Sequence, residues 1–353
     1  MAYTTINKSG EYFNTKLYTG DDTNNRQISL DWSPDLTWIK ARNVAYGHIL
    51  FDRIRGLGFS LNSNGTNANR NVGSEFSWSN SGCTTDSFTV DRGSNESLNQ
   101  NGKTMVAWNW KAGTTGSGTT TGSGTGKPYS YSVNTTSGFS IVKYDGNSTA
   151  GHQIPHHLGA VPKMIIVKST ELTQNWMVYH VENGNTHGQF LNTTSAKDDD
   201  ITYWNDTTPS STTFTVGTND MVNASNGENI AYAFAEKTGY SKFGSYTGNA
   251  STNGSFLYTG FKPAFLIFKR ADAADGWQMM DNKRSPTNVV ASRFEADANS
   301  DEYTSADWLD FVSNGIKIKN SSGGINASGG TFIYMAFAEA PLVGTNNVPC
   351  TAR

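Results

Sequence analysis

Three histidines lie close together in the segment HQIPHH, at His152, His156 and His157. Histidine is the side chain whose ordinary pKa lies nearest neutral pH, so this is the most ligand-like cluster in the chain. His152 and His156 would face each other only on a helix, and Pro155 lies between them. We therefore interpret the histidines as structural, with a pH-sensitive contact as the alternative.

Four consecutive residues, Lys197 to Asp200, read KDDD and could contribute oxygens to a calcium ion. Calcium takes roughly six to eight oxygen ligands, and no spacing of the D-x-[DN]-x-[DN]-G kind is present. A solvated loop is the better interpretation. We predict no cofactor, and a loop-bound Ca²⁺ stays the alternative.

Glycoside cleavage requires two carboxyl groups about 5 to 10 Å apart, flanking the scissile bond. The sequence gives no reason to pair any two of its candidates. These candidates are Glu171, Glu182, Asp206, Asp275 and Asp307. The chain also has no G-x-S-x-G motif and no P-loop, so we predict that it is not an enzyme.

Aromatic residues in polar surroundings suggest binding instead of catalysis. Tyr203 and Trp204 lie in the polar segment DDDITYWNDTTPSS (198–211). Exposed rings of this kind stack on sugars or on a partner surface. We predict Tyr203, Trp204 and Asp206 as ligand-binding residues, with core packing of the two rings as an equal alternative.

Three further rings occupy corresponding places in a repeated pattern. Trp176 and Trp277 each follow a variable loop, and His48 holds the equivalent place earlier in the chain. Because the position recurs, core packing is the favoured interpretation over ligand stacking.

The composition is typical of an all-β protein with many turns: 36% hydrophobic, 12% aromatic, and 36 glycines. A net charge of −3 without a basic stripe gives no electrostatic footprint for nucleic acid. Cys83 and Cys350 make neither a disulfide framework nor a zinc site probable on their number alone. The opening MAYTTINKSG has no apolar core, and no stretch is long enough to span a membrane, so we expect neither a signal peptide nor membrane insertion.

Three landmarks recur at nearly constant offsets, which indicates three homologous units. The first is a Pro-started apolar segment that ends in Lys: PDLTWIK (34–40), PKMIIVK (162–168) and PAFLIFK (263–269). The second is Tyr18, Tyr144 and Tyr246, and the third is Trp110, Phe234 and Phe337. Each Pro-started segment predicts a central strand covered on both faces, with Pro at its first residue. In VAWNW (106–110), alternation predicts Val106, Trp108 and Trp110 facing inward with Ala107 and Asn109 outward.

We therefore predict an all-β chain of three tandem antiparallel β-sandwich domains of jelly-roll type. Repeat 1 covers 1–113, repeat 2 covers 137–239, and repeat 3 with a C-terminal tail covers 240–353. The Gly/Ser/Thr-rich segment 114–136 is expected to be a flexible linker, because such composition buries little. The alternative is an ordered loop held by a neighbouring subunit.

The motifs FNTKLYTG, PDLTWIKARN, HILFDRIRG and VAWNWKAG, with GFSIVKYDGN, YTGFKPAFLIFKR and IYMAFAEAP, resemble a group of tailed-phage virion proteins. These proteins are frequent in phages of marine bacteria and are described as tail-fibre-like or structural. The resemblance covers nearly the whole chain. It implies concanavalin-like lectin sandwiches and a location in the virion, and it supplies no catalytic residues.

The resemblance leads to the hypothesis of a tail-fibre or tail-tip adhesin that binds a host surface glycan or protein without catalysis. The alternative is a capsid decoration protein (head fibre) or a tail-bridging protein. We expect no N-terminal anchor, because unit 1 starts almost at Met1, and this expectation favours the alternative. The expected partners are other virion proteins, a host glycan or receptor, and further copies of the chain, a trimer being the usual fibre state.

Overall fold

The computed structural model describes residues 3–78, 86–93, 97–225, 227–344 and 348–351, so Cys83 lies outside the described residues. Within these ranges the regular structure is almost all antiparallel β-sheet, which confirms the predicted all-β sandwich class. The helices are short: a 3-10 helix (Ser9–Glu11), α1 (Ile201–Trp204), α2 (Asp220–Asn223) and α3 (Gly323–Asn326).

Unit 1 (1–113) pairs a larger sheet with a smaller one. Its strands are β1 (Phe13–Thr19), β2 (Arg26–Ser29), β3 (Leu36–Ala41), β4 (Ile49–Asp52), β5 (Phe59–Ser60), β6 (Arg70–Asn71), β7 (Phe76–Ser77), β8 (Ser87–Val90) and β9 (Thr104–Trp110). The larger sheet has the order β1-β9-β3-β4 and the smaller one β2-β8-β7, while β5 and β6 form a short hairpin.

Unit 2 (137–239) repeats this plan and includes strands from the segment that precedes it. The strands are β10 (Thr114–Thr119), β11 (Thr121–Gly122), β12 (Pro128–Asn134), β13 (Phe139–Asp145), β14 (His152–Pro155), β15 (Met164–Ser169), β16 (Met177–His180), β17 (His187–Phe190), β18 (Asp198–Asp199), β19 (Thr213–Val216) and β20 (Glu228–Phe234). The larger sheet runs β10-β12-β13-β20-β15-β16-β17-β18, and the smaller one is β11-β14-β19.

Unit 3 (240–353) has the same two-sheet plan. Its strands are β21 (Ser241–Thr247), β22 (Phe256–Tyr258), β23 (Phe261–Arg270), β24 (Gln278–Asp281), β25 (Phe294–Glu295), β26 (Leu309–Val312), β27 (Gly315–Ile318) and β28 (Thr331–Pro341). The larger sheet runs β21-β28-β23-β24-β25, and the smaller one is β22-β27-β26.

The Pro-started segments form β3, β15 and β23, each at an inner position of a larger sheet, as predicted. Every residue of β3 and β15 is buried. Leu36 and Trp38 on one face of β3 belong to a core shared by all three units, whereas Ile39 and Ala41 on the other face pack inside unit 1. Both faces are covered, which is why the apolar residues are consecutive instead of alternating.

The prediction that each Pro is the first residue of its strand is wrong. Pro34 and Pro162 precede β3 and β15 by a residue or more. Pro263 lies inside β23, where the pairing with β28 shifts register. A bulge tolerates Pro because the ladder lacks a hydrogen bond there.

The period-two pattern of β9 is confirmed, but its second face is not outward. Val106, Trp108 and Trp110 all lie in the shared core. Ala107 and Asn109 are buried as well, because the smaller sheet of unit 1 lies across that side.

The shared core is centred on the three residues that recur at the end of the repeat. The ring centroids of Trp110 and Phe234 are 6.4 Å apart, those of Trp110 and Phe337 5.9 Å, and those of Phe234 and Phe337 6.0 Å. Each ring therefore contacts the other two, one from each unit. Strands of all three larger sheets contribute side chains to the core around this cluster.

The prediction of a flexible linker at 114–136 is wrong, because this segment forms β10, β11 and β12. β12 pairs with β13 and β10 pairs with β12, so the segment extends the larger sheet of unit 2 by two strands. The Gly and Thr residues of β10 are mostly exposed, as expected for the edge of a sheet.

Candidate binding site

The predicted ligand-binding residues Tyr203, Trp204 and Asp206 do not form one exposed surface. Tyr203 and Trp204 lie in α1 and are buried in the core of unit 2, where Trp204 packs edge-on against Tyr179 at 5.8 Å. The Tyr203 hydroxyl donates to Asp198 Oδ2 at 2.7 Å, and burial raises the Tyr203 pKa. The structure thus places the two rings as the core-packing interpretation expects, and Asp206 lies exposed beside them.

The acidic segment before α1 has structural contacts. Asp200 caps the helix by accepting a hydrogen bond from the Thr202 N–H at 2.8 Å, and Asp198 accepts from Tyr203. Within the described ranges, no group of three or more His, Cys, Asp or Glu side chains is arranged to hold a metal ion.

Two of the proposed carboxylates also bind protein groups. Glu171 accepts from the Glu228 N–H at 3.1 Å, and Glu182 accepts from the Ser245 hydroxyl at 2.9 Å, which ties unit 2 to unit 3.

His152 and His156 are buried. His152 is held between Asn223 Oδ1 at 3.0 Å and Thr120 Oγ1 at 2.6 Å, and burial lowers its pKa. Burial lowers the pKa of His156 to about 4, so this ring is neutral at pH 7. The hydrogen bonds of His152 and the burial of both rings agree with the structural interpretation of these histidines.

His157 differs from its neighbours because its ring is only half-buried and lies against two tyrosines of β12. Its ring stacks on Tyr131 with centroids 3.7 Å apart and planes 14° apart. Its Nε2 lies 2.9 Å from the Tyr129 hydroxyl. We call Tyr129, Tyr131 and His157 the aromatic platform.

The glycines of β10 allow these rings to lie flat over the sheet. Gly116 pairs with Tyr131 and Gly118 with Tyr129. A Cβ at Gly116 would lie 2.6 Å from Tyr131 Oη, and one at Gly118 would lie 2.9 Å from Tyr129 Cε1. Only glycine leaves room for the rings at these two positions, which gives the Gly-x-Gly spacing a structural reason.

The platform is electrically neutral near pH 7. Burial raises the pKa of Tyr129 and lowers that of His157, so both groups stay uncharged. A cleft of about 260 Å³ adjoins Tyr129, and its wall includes Lys143 and Glu228, whose charged groups pair at 2.7 Å. Asp145 also lines the cleft, so the site offers flat apolar faces, hydroxyl edges, an ion pair and one further carboxyl group.

Sequence reasoning missed this site because the composition of 114–136 suggested a linker. A usable signal was present: Tyr-x-Tyr in PYSYS follows Gly-x-Gly in TTGSGT. Both patterns have period two, which is typical of paired strands whose one face carries rings over glycines.

The recurrent ring position at His48, Trp176 and Trp277 is buried, as favoured from the sequence, and it joins the units. Each side chain contacts a backbone carbonyl of another unit. The pairs are His48 Nε2 with Glu295 O (3.0 Å), Trp176 Nε1 with Asn62 O (2.9 Å) and Trp277 Nε1 with Phe190 O (2.8 Å). Unit 1 thus binds unit 3, unit 3 binds unit 2, and unit 2 binds unit 1, so the three contacts close a ring.

None of the helices among the described residues is both long and apolar enough to cross a membrane. Searches of the curated proteins and of the solved structures found no match to the chain. A family model described as "Domain of unknown function (DUF7483)" matches residues 8–341, a range that includes most of all three units. Because this match spans far more than half of the chain, the protein belongs to the DUF7483 family.

Proposed function

We propose that the protein is a structural protein of a tailed-phage virion and acts as a tail-fibre or tail-tip adhesin. In this proposal it binds a host surface glycan through the aromatic platform, without catalysis, and contacts other virion proteins. The resemblance of the repeated motifs to virion proteins supports the location. The half-buried stack of Tyr129, Tyr131 and His157 is the observation that supports glycan binding.

The chemistry of the platform suits a sugar. The C–H face of a pyranose packs on aromatic rings, and its hydroxyls need donors and acceptors at the ring edges. The hydroxyls of Tyr129 and Tyr131 and the His157 nitrogens offer such groups beside the rings. Since His157 is neutral at pH 7, the platform favours no charge on the sugar.

The architecture suits an adhesin because the platform lies on a rigid support. β12 is hydrogen-bonded on both sides, to β10 and to β13. β13 carries Phe139 and Ile141 into the core that the three units share. A platform fixed in this way loses little conformational freedom when it binds.

Binding to whole cells tests the platform. Labelled protein should bind host bacteria of the phage that encodes it, and Tyr131→Ala should reduce that binding about ten-fold or more. Phe256→Ala removes an exposed ring from unit 3 and is the matched control, expected to bind like the unchanged protein. Equal binding by all three proteins would contradict a role for the platform.

Immunogold labelling of phage particles tests the location. An adhesin predicts gold at the tail tip or along the tail fibres. Gold on the head alone would favour the decoration alternative, and unlabelled particles would contradict a virion protein of either kind.

A further inference from the structure

A cavity of about 140 Å³ lies between unit 1 and unit 3. Its lining includes Phe13 and Thr15 of β1, and Ala264, Asn282, Lys283 and Glu339 of unit 3. It adjoins a groove of about 460 Å³ along the edge of β1, which shares Asn14, Thr15 and Lys283 with it and reaches Asp31. The two together exceed the volume of a single water molecule many times.

The internal repeats show why this interface is open. Thr15 pairs with Trp108, and the equivalent partners in units 2 and 3 are Ile141 with Tyr232 and Phe243 with Met335. Ile141 and Phe243 are buried in the shared core. Unit 1 therefore has a small polar residue where the other two units fill the same interface with a large apolar side chain.

Two side-chain oxygens that belong to residues lining the cavity are buried without a hydrogen-bond partner among the described residues. They are the Thr15 hydroxyl and Asn282 Oδ1. Eleven buried side-chain atoms of the described residues lack a partner, and these two are the ones whose residues line the cavity. A buried polar atom without a partner costs about 1–3 kcal/mol, so a ligand that bonds to it gains affinity. Both can accept a hydrogen bond from a hydroxyl group, and Thr15 can also donate one.

The charges around the cavity and groove are balanced. Lys16 and Lys283 line them together with Asp31 and Glu339. Neither an anion nor a cation is favoured by such a mixture. A compact, uncharged ligand with several hydroxyl groups suits this site. Its hydroxyls can bond to the Thr15 and Asn282 oxygens, and its lack of charge suits the equal number of positive and negative side chains.

We propose that this interface is a binding site for a neutral polyhydroxy ligand the size of one sugar residue, held by Thr15 and Asn282. The site lies between units 1 and 3 and shares no residue with the aromatic platform of unit 2. It does not depend on a virion location, so it can stand or fall separately from the proposed function.

Ligand-observed saturation-transfer NMR and calorimetry on the full chain test the proposal. The probes are D-glucose, D-galactose and N-acetylglucosamine, with glucosamine and glucuronic acid as charged counterparts. The unchanged protein should bind at least one neutral probe more tightly than the charged ones.

Thr15→Ile introduces the residue type that unit 2 has at the equivalent position, Ile141. The larger side chain should fill the cavity and abolish binding. Thr15→Val keeps the shape, removes only the hydroxyl, and should weaken binding roughly five-fold. Thr19→Ile makes the same change at an exposed position of the same strand and should leave binding unchanged. Thr15→Val also serves if Thr15→Ile does not fold.

Two results would overturn the site. If no probe binds the unchanged protein, the cavity holds only water. If binding survives in Thr15→Ile but is lost in Tyr131→Ala, the sugar binds the platform; that result removes this inference and leaves the proposed function intact.

Discussion

The Tyr232 hydroxyl in unit 2 donates a hydrogen bond of 2.7 Å to Asp52 Oδ2 in unit 1, and both residues are fully buried. Arg55 donates to the same oxygen at 2.5 Å, so the carboxylate is paired as well as hydrogen-bonded. Units 3 and 1 repeat the arrangement, since Trp108 Nε1 donates to Asp281 Oδ2 at 3.1 Å. The interfaces between units are thus specified by buried polar contacts in addition to apolar packing.

Tyr232→Phe should destabilise the protein by about 1–3 kcal/mol. The change leaves the ring in place and removes one donor from a buried carboxylate, which cannot recover that bond from water. Urea unfolding followed by tryptophan fluorescence measures the loss.

Tyr12→Phe is the control for this change, because the half-buried Tyr12 ring keeps its edge contact with Tyr240, with centroids 6.0 Å apart. We expect an effect within about 0.5 kcal/mol. A loss for Tyr232→Phe no larger than that of the control would show that the contact with Asp52 does not stabilise the interface.

The third interface uses a different pair, and the difference has a chemical reason. The residue equivalent to Trp108 and Tyr232 in unit 3 is Met335, which has no donor, and the residue equivalent to Asp52 is His180. A buried carboxylate would have no partner there. His180 instead bonds the Tyr334 carbonyl through Nε2 at 3.1 Å, and its Nδ1 accepts from the Glu182 N–H at 3.2 Å.

The neutral form of His180 makes stability depend on pH. Burial lowers its pKa to about 4, whereas the ordinary value is 6.5. Between these values the unfolded chain binds a proton that the folded chain excludes, so stability is lost as the pH falls from about 6.5 to about 4. The loss from this residue should be about 1–3 kcal/mol.

His180→Asn tests this dependence, because the amide keeps a donor and does not titrate. Unfolding free energies at pH 7 and pH 4.5 should differ less in the variant than in the unchanged protein. An identical difference in both proteins would mean that other groups, such as His156, account for the whole effect.

How much of this could be read from the sequence depends on the element. β3 was predictable because a short, mostly apolar run that follows a Pro is typical of a strand covered on both sides. The residues that cover the Leu36 face of β3 were not predictable. Leu36 could have packed against a second sheet of its own unit, but it packs in the core that the three units share. The contact of Trp110 with Phe234 depends on how the units pack, and a repeat pattern within one unit does not contain that information.

The candidate binding site shows a second limit of the sequence. The polar residues around Tyr203 left exposure and core packing as equal alternatives, and α1 turns the ring into the core of unit 2. Tyr131 was overlooked because glycines beside it suggested flexibility. In both cases composition describes the neighbours along the chain, whereas exposure depends on the neighbours in space.

The three recurrent lysines make stability rise with pH at the alkaline end, in the same direction as His180 does at the acidic end. Lys40, Lys168 and Lys269 are fully buried, and burial lowers the pKa of each to about 8 from an ordinary 10.5. Between about 8 and 10.5 the unfolded chain holds protons that the folded chain has released. Stability should therefore rise as the pH increases from about 8 towards 10, before ionisation of the tyrosines opposes it.

Lys168→Met tests one of these groups. The gain in unfolding free energy between pH 7.5 and pH 9.5 should be smaller in the variant by about 1–2 kcal/mol. Lys283→Met removes an exposed lysine and is the control, expected to keep the full gain. An unchanged gain in Lys168→Met would place the pKa of this lysine in its ordinary range.

Gly116→Ala should disturb the aromatic platform specifically. The new Cβ would lie 2.6 Å from Tyr131 Oη, so the ring must leave its stacked position on His157. Because β10 is an edge strand, we expect a stability loss of only about 1 kcal/mol, with a larger loss of binding to cells. Gly65→Ala is the matched control, since its Cβ would meet only Asn62 Cβ at 3.9 Å. Thermal unfolding and the cell-binding assay measured together distinguish the outcomes: full binding by Gly116→Ala with an unshifted Tyr131 resonance in aromatic NMR spectra would show that the glycine is not needed for the platform.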